Sequence, residues 1–175
     1  VYYKDQLEKM DPLTGELSLP GWDASYKKED LRALFEAYGR LNEEDLWENL
    51  RYFLEAVIPV AEESGVNMAI HPDDPPWNIF GLPRIITCEA NLDRFLKLVD
   101  SPANGLTLCT GSLGCAASND IYRMIDKYAA QGRIHFMHVR NVKILPDGGF
   151  EESAHFSACG SLDIVRILDI LHRRR

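Results

Sequence analysis

Met68-Ala-Ile-His71-Pro-Asp-Asp-Pro-Pro-Trp77 is the stretch around which the chain is organised. Met68 to Ile70 is a short apolar run that reads as a buried strand. A histidine, two acids and two prolines follow it at once. Proline cannot donate to a sheet ladder, so the strand must stop there and the chain must turn. His71 is thereby placed at the carboxyl end of a strand beside a rigid acidic loop. In parallel α/β folds that edge is where ligands bind.

Two later apolar runs end in the same way. Leu106–Cys109 and Ile134–Arg140 read as strands, the first closing on Cys109 and the second carrying His138 near its end. The pattern between them is helical. Lys28–Gly39 has Leu31, Leu34, Phe35 and Tyr38 at three- and four-residue spacing. Asn42 reads as an N-cap with Glu43, Glu44 and Asp45 in the first turn, and the helix it starts is expected to kink at Pro59 and end at Gly65. Further helices are expected over Glu89–Val99, Asn119–Ala130 and Ser161–His172, the last capped by Ser161. Ser101-Pro-Ala-Asn-Gly105 and Pro146-Asp-Gly-Gly149 read as turns, and Thr110-Gly-Ser-Leu-Gly114 as a glycine-rich loop. Residues 1–40 are expected to be a loop-rich and helical excursion, with turns at Asp11–Gly15 and Leu19–Trp22. Residues 41–175 read as consecutive αβ units of one domain.

Such alternation implies an α/β fold with parallel strands and crossover helices. The strand ends at 71, 109 and 138 lie 38 and 29 residues apart, one strand–helix unit each time. Three such units make about half of an eight-stranded barrel, which typically takes about 250 residues. An open doubly wound sheet fits the length better but lacks a phosphate-binding glycine fingerprint after the first strand.

Composition narrows the function. A formal charge of −8 and the absence of a basic stripe argue against nucleic acid as a partner. No apolar run approaches the roughly 18 residues that span a bilayer, so no membrane partner is expected. The opening Val1-Tyr-Tyr-Lys-Asp is not a secretory signal. The four cysteines show no paired spacing and read as reduced thiols of a cytoplasmic protein. Val1 is not an initiator methionine, and the last helix runs into Arg175 without a stop signal. Both features read as those of an internal fragment of a longer protein.

His71, Cys109 and His138 each close a different strand, and in a barrel those ends converge on one mouth. Imidazole and thiolate both suit borderline divalent metals, and three such ligands leave a coordination position open for chemistry. One such residue alone reads as a core or structural side chain. Arg140 shares a strand face with Phe136 and His138 and is aimed at an anionic substrate group, where a guanidinium fork fits a carboxylate. His135 sits at the quiet end of the strand and reads as a partly exposed bystander. Asp73 and Asp74 read as metal ligands, mechanistic acids or turn-formers. Gly111 and Ser112 offer a backbone amide and a hydroxyl to a substrate, as does Asn141 beside Arg140. His155, in Glu151-Glu-Ser-Ala-His155, reads either as a proton shuttle or as a surface histidine. The other cysteines, 88, 115 and 159, carry no expected role.

Eight stretches of the chain resemble the mannonate dehydratase family. They are Leu19-Pro-Gly-Trp22, Leu46-Trp-Glu-Asn-Leu50, Met68–Trp77, Phe80-Gly-Leu-Pro-Arg84, Ser101–Gly105, Leu108-Cys-Thr-Gly-Ser-Leu-Gly114, His138-Val-Arg-Asn-Val-Lys143 and Glu151–His155. The resemblance runs through almost the whole chain. It implies a (β/α)8 TIM barrel akin to the xylose isomerase-like barrels, here a partial one. It implies loss of water from D-mannonate, a small sugar acid, to give 2-dehydro-3-deoxy-D-gluconate in hexuronate breakdown. The family's metal-binding histidine, cysteine and histidine fall on His71, Cys109 and His138. The implied ion is Mn2+ or Fe2+, where ligand softness alone suggests zinc. Arg140 would then orient the substrate carboxylate, and Asp73 and His155 are the candidates here for proton transfer.

One departure stands out. The family draws a fourth ligand, an aspartate followed by a catalytic histidine, from a later strand, and this chain contains no Asp-His pair. The 175 residues are therefore expected not to turn over alone. The competing readings are another divalent-metal sugar isomerase or epimerase on the same barrel, and an inactive sugar-acid-binding fragment. All of them allow a homo-oligomer.

Overall fold

The computed structural model describes residues 28–174, together with Lys9 and Asp11. The turns expected within 11–15 and at Leu19–Trp22 lie outside these residues, Asp11 apart.

Helix α1 covers Lys28–Tyr38 and α2 covers Glu43–Glu63. Asn42 starts α2 with a complete capping box. Its Oδ1 accepts from the amides of Glu44 (2.8 Å) and Asp45 (3.2 Å), and the Asp45 carboxylate accepts from the Asn42 amide (2.8 Å). The helix runs on through Pro59 to its end, burying Trp47, Leu54, Ile58 and Ala61 along one stripe. Strand β1 (Met68–Ile70) is followed by a long loop and α3 (Glu89–Leu98). Arg94 of α3 grips Glu44 of α2 with both terminal nitrogens and lies 4.4 Å above the Trp47 ring. These contacts pin α3 to the helix before β1.

Strand β2 spans Asn104–Cys109, two residues longer at its start than the expected Leu106–Cys109. The short helix α4 (Thr110–Gly114) replaces the expected glycine-rich loop. Its N-cap is Cys109, whose sulfur accepts from the Ser112 amide at 3.4 Å. Helix α5 (Ile121–Ala130) leads to β3 (Ile134–His138). A hairpin then follows that the periodicity does not announce. Strands β4 (Asn141–Ile144) and β5 (Phe150–Ser153) pair antiparallel across the expected Pro146–Gly149 turn, burying Val142 and Phe150. A 3-10 turn at Ser157–Cys159 precedes α6 (Ile164–Arg173). The cap of α6 is Asp163, which accepts from the Arg166 amide. Ser161, the expected cap, instead accepts from the Ile144 amide of the hairpin. No helix of the described residues is long and apolar enough to cross a membrane.

The three main strands lie in the order β1-β2-β3, all parallel, with helices between them in sequence. Leu106 and Leu108 of the central strand are buried in one core with α3 and α5 side chains such as Leu92, Phe95, Met124 and Ile125. The register places Met68 opposite Asn104, Ile70 opposite Leu106, and Cys109 opposite His138. Between β2 and β3 the pairing jumps from Leu106–Ile134 to Thr107–Phe136, so His135 is an extra residue on its strand. His135 is not a bystander. Its Nδ1–H donates to the Met68 carbonyl at 2.6 Å, reaching past the central strand to β1. Gly105 leaves the room for it, because a Cβ there would collide with the imidazole. The sequence needs glycine at 105 for this crossing.

Gly105→Ala should therefore displace His135 and loosen β1 from the sheet. The expected cost is about 1–3 kcal/mol, the usual range for overpacking. A urea melt of the variant against the parent measures it; an unchanged midpoint would show that the crossing contributes nothing.

Candidate metal centre

Parallel strands in register bring their carboxyl ends to one edge. His71 follows β1 directly, Cys109 is the last residue of β2 and His138 the last of β3. Their ligand atoms all lie within 4.8 Å of one another. The two imidazole rings stand 5.9 Å apart, tilted by 52°. Cys109 is wholly buried, whereas both histidines are exposed. The cluster therefore has a sulfur floor and an open side, the arrangement that lets a bound ion keep a coordination position for substrate.

The surroundings suit a cation. Burial opposes ionisation of Cys109, but hydrogen bonds from His71 and Ser112 outweigh it and hold the thiol below its ordinary range. The hydrogen bond to Cys109 in turn raises the His71 imidazole against its own burial. His71 donates from Nδ1 to the Pro72 carbonyl at 2.7 Å, so Nε2 is the nitrogen left to face Cys109 and the one that would ligate on losing its proton. Ser112 is buried, and its hydroxyl donates to the Cys109 sulfur at 3.1 Å. Cys115, six residues on, lacks such support, and burial pushes its thiol up to about 12. Two buried cysteines of one segment are thus shifted in opposite directions, and the one that is lowered faces the imidazoles.

Arg140 stands over this floor. Its Nη1 donates to Asp74 at 2.7 Å and lies 3.3 Å from Glu152. Its Nε and Nη2 are buried without a partner, as is Oδ1 of Asp74. Gly111 makes the approach feasible, since a Cβ at 111 would collide with Arg140 Nε. The Arg140 backbone is held by Thr110, whose hydroxyl accepts from the Arg140 amide (2.8 Å) and donates to the Arg140 carbonyl (2.7 Å).

The remaining expected residues take other positions. Asp73 is engaged away from the cluster. Its Oδ2 accepts from the amides of Ile85 (3.1 Å) and Ile86 (2.8 Å), closing the base of the loop after β1. Asn141 is wholly buried, and its amide is spent on the carbonyls of Ala154 and Phe156 and the amide of Leu162. It fastens the hairpin to the following turn. Ser112 donates to the Cys109 sulfur, and Gly111 leaves the room that the Arg140 side chain occupies. His155 is exposed, with Nε2–H donating to the Val139 carbonyl at 3.0 Å. Thr110 and the separate duty of Asp74 have no periodic signal in the sequence. The adjacency of Thr110 to Cys109, where a strand passes into a helix, is the available hint. An apolar groove of about 510 Å3 lies elsewhere, lined by Leu31, Leu34 and Phe35 of α1 and by Ile79, Leu82 and Pro83 of the loop.

Comparison with known proteins gives one consistent result. The chain is 53% identical over 172 residues to mannonate dehydratase 2 of Halalkalibacterium halodurans, covering 98% of this chain and 50% of that protein. It is 52% identical over 165 residues to the mannonate dehydratase of Streptococcus agalactiae serotype V, covering 94% and 47%. The crystal structure of mannonate dehydratase from Streptococcus suis serotype 2 superposes with a TM-score of 0.86 at 43% identity, covering 98% of this chain and 45% of that one. The chain spans about half the length of the curated relatives it matches. Its three parallel strands and their helices are part of a TIM barrel, and the open doubly wound sheet is set aside. The family profile described as D-mannonate dehydratase (UxuA) matches residues 2–175, and the chain belongs to that family.

Proposed function

We propose that this chain carries the metal-holding part of a hydro-lyase that converts D-mannonate to 2-dehydro-3-deoxy-D-gluconate, a cytoplasmic step in hexuronate (glucuronate) catabolism. The observation that carries the reading is the His71–Cys109–His138 cluster, with three ligand atoms within 4.8 Å of one another and one open side. His71, Cys109 and His138 would hold Mn2+ or Fe2+. The family membership supports these ions over the zinc that the ligand set alone suggests. All four cysteines are free, as a reducing cytoplasm would keep them.

The reaction removes a proton from the carbon beside the carboxylate and a hydroxyl from the next carbon. The two leave as water, and the resulting enol becomes the 2-keto acid. A bound divalent ion supplies Lewis acidity toward the carboxylate and hydroxyl oxygens. Arg140 receives the substrate carboxylate. Its Nε and Nη2, the edge of a guanidinium that grips two oxygens, are buried without acceptors, so a carboxylate there would satisfy donors that are otherwise unpaired. Asp74 keeps the guanidinium charged and turned toward the cluster through Nη1. His155 is the proton carrier of this segment: with Nε2 given to Val139, its Nδ1 is left to exchange a proton. Asp73 has no part in proton transfer under this reading.

Manganese titration of the 175-residue chain checks the cluster. Cys109→Ala and His138→Ala should each weaken binding by at least about tenfold, the scale found for residues that support a metal site. Equal affinity in all three proteins would remove the cluster as the site. Turnover is checked on the chain alone and on the chain joined to the remaining portion of the Halalkalibacterium halodurans relative. The joined protein should consume D-mannonate, with activity lost to a chelator and restored by manganese, and should leave free aldoses untouched. The chain alone, with three ligands, should show no turnover. Aldose isomerisation by the joined protein would instead point to a sugar isomerase.

A further inference from the structure

The β2–β3 ladder ends at the pair Cys109–His138, because β2 passes into helix α4 at Thr110. Arg140 lies two residues beyond that last pair. An extended residue turns its N–H and C=O to the same side, and in a parallel ladder both bond to the neighbouring strand. The neighbouring strand no longer exists at that level. The Thr110 hydroxyl takes its place: it accepts from the Arg140 amide at 2.8 Å, donates to the Arg140 carbonyl at 2.7 Å, and is also 3.5 Å from the His138 carbonyl. Thr110 is wholly buried, so no water can substitute for it. Gly111, the next residue, is the surface on which the Arg140 side chain rests. One dipeptide therefore fixes both the backbone and the side chain of Arg140.

We propose that Thr110 is a positioning residue for substrate, a one-atom extension of the sheet that sets Arg140 relative to Cys109 and His138. The role rests on the assignment of Arg140 to the substrate carboxylate made above. The partners of the hydroxyl are backbone groups of His138 and Arg140, not the ligand atoms of the cluster. Its loss should disturb carboxylate binding while leaving the ligand cluster in place.

Three variants and two measurements test this. Thr110→Val keeps the shape and deletes the hydroxyl, Thr110→Ser keeps the hydroxyl, and Thr110→Ala serves should the valine variant not fold. The first measurement is amide hydrogen exchange at Arg140 in the 175-residue chain. Protection should fall by roughly tenfold in Thr110→Val or Thr110→Ala and stay near the parent level in Thr110→Ser. The second is calorimetric titration with manganese and then with D-mannonate. The valine or alanine variant should bind mannonate roughly tenfold more weakly, with manganese affinity within about threefold of the parent and the serine variant close to normal in both. Unchanged exchange at Arg140 without the hydroxyl overturns the proposal. So does an equal loss in the serine and valine variants, or a parallel fall in manganese affinity, either of which would make Thr110 a packing residue of the whole site. Absence of mannonate binding by the parent chain counts against the substrate assignment, and the exchange result then decides the clamp by itself.

Discussion

The pairing of β3 with β2 depends on one extra residue, and the ligand cluster depends on that pairing. Had the register set by Leu106–Ile134 continued without a break, Cys109 would face Met137. The extra residue, His135, moves the pairing by one and brings His138 opposite Cys109. A one-residue slip in a strand exchanges its two faces, so this bulge decides whether His138 points at Cys109 and His71 or away from them. The same His135 holds the bulge in place by donating to the Met68 carbonyl across Gly105. One side chain thus aligns β3 and ties down β1, the strands that position His138 and His71.

Charge selection then works on what the register has assembled. Burial alone would keep both Cys109 and Cys115 protonated, as it does Cys115. Helix α4 changes the outcome for Cys109 by starting at its sulfur, which places the Ser112 amide and hydroxyl on the thiol side. His71 adds a third hydrogen bond from the neighbouring strand. Hydrogen bonds to the charged form, helped by the nearby Arg140 charge, lower the thiol against its own burial. A flexible glycine-rich loop at 110–114 would not present those donors in fixed directions, so the short helix is what aims them at the sulfur.

The alternation of strands and helices, the convergence of His71, Cys109 and His138 and the family are legible in the sequence because they rest on local patterns. Apolar runs lead to His71, Cys109 and His138, and prolines after His71 and a glycine after Thr110 mark the first two stops. The hairpin is not legible: Asn141–Ile144 and Phe150–Ser153 are four residues each, too short for a period to declare itself. The expected cap at Ser161 fails for a tertiary reason, since the hairpin claims that hydroxyl and leaves Asp163 to start α6. Asn141 and Asp73 carry polar groups that suit a binding site, yet both are consumed by backbone groups well separated from them along the chain. Residue type and spacing cannot show such long-range partners. His135 escapes pattern reading for a related reason, because simple alternation along a strand does not foresee a bulge.

The paired acids of the opening motif show how one loop serves stability and chemistry with identical side chains. Asp73 faces back, and its two amide partners at 85 and 86 fix the far end of the loop against its start. Asp74 faces forward into an ion pair with Arg140, largely buried on both sides. A pair in that setting does little for stability, since desolvation offsets most of the attraction. Here it is also incomplete, with Asp74 Oδ1 and two Arg140 nitrogens lacking partners. These groups are held in place by the loop, the Thr110 hydroxyl and Gly111. A polyhydroxy acid could satisfy them together, its carboxylate accepting from Arg140 and a hydroxyl donating to Asp74. Binding energy would then come from groups that the fold has already dehydrated and oriented, which is the physical meaning of preorganisation at this site.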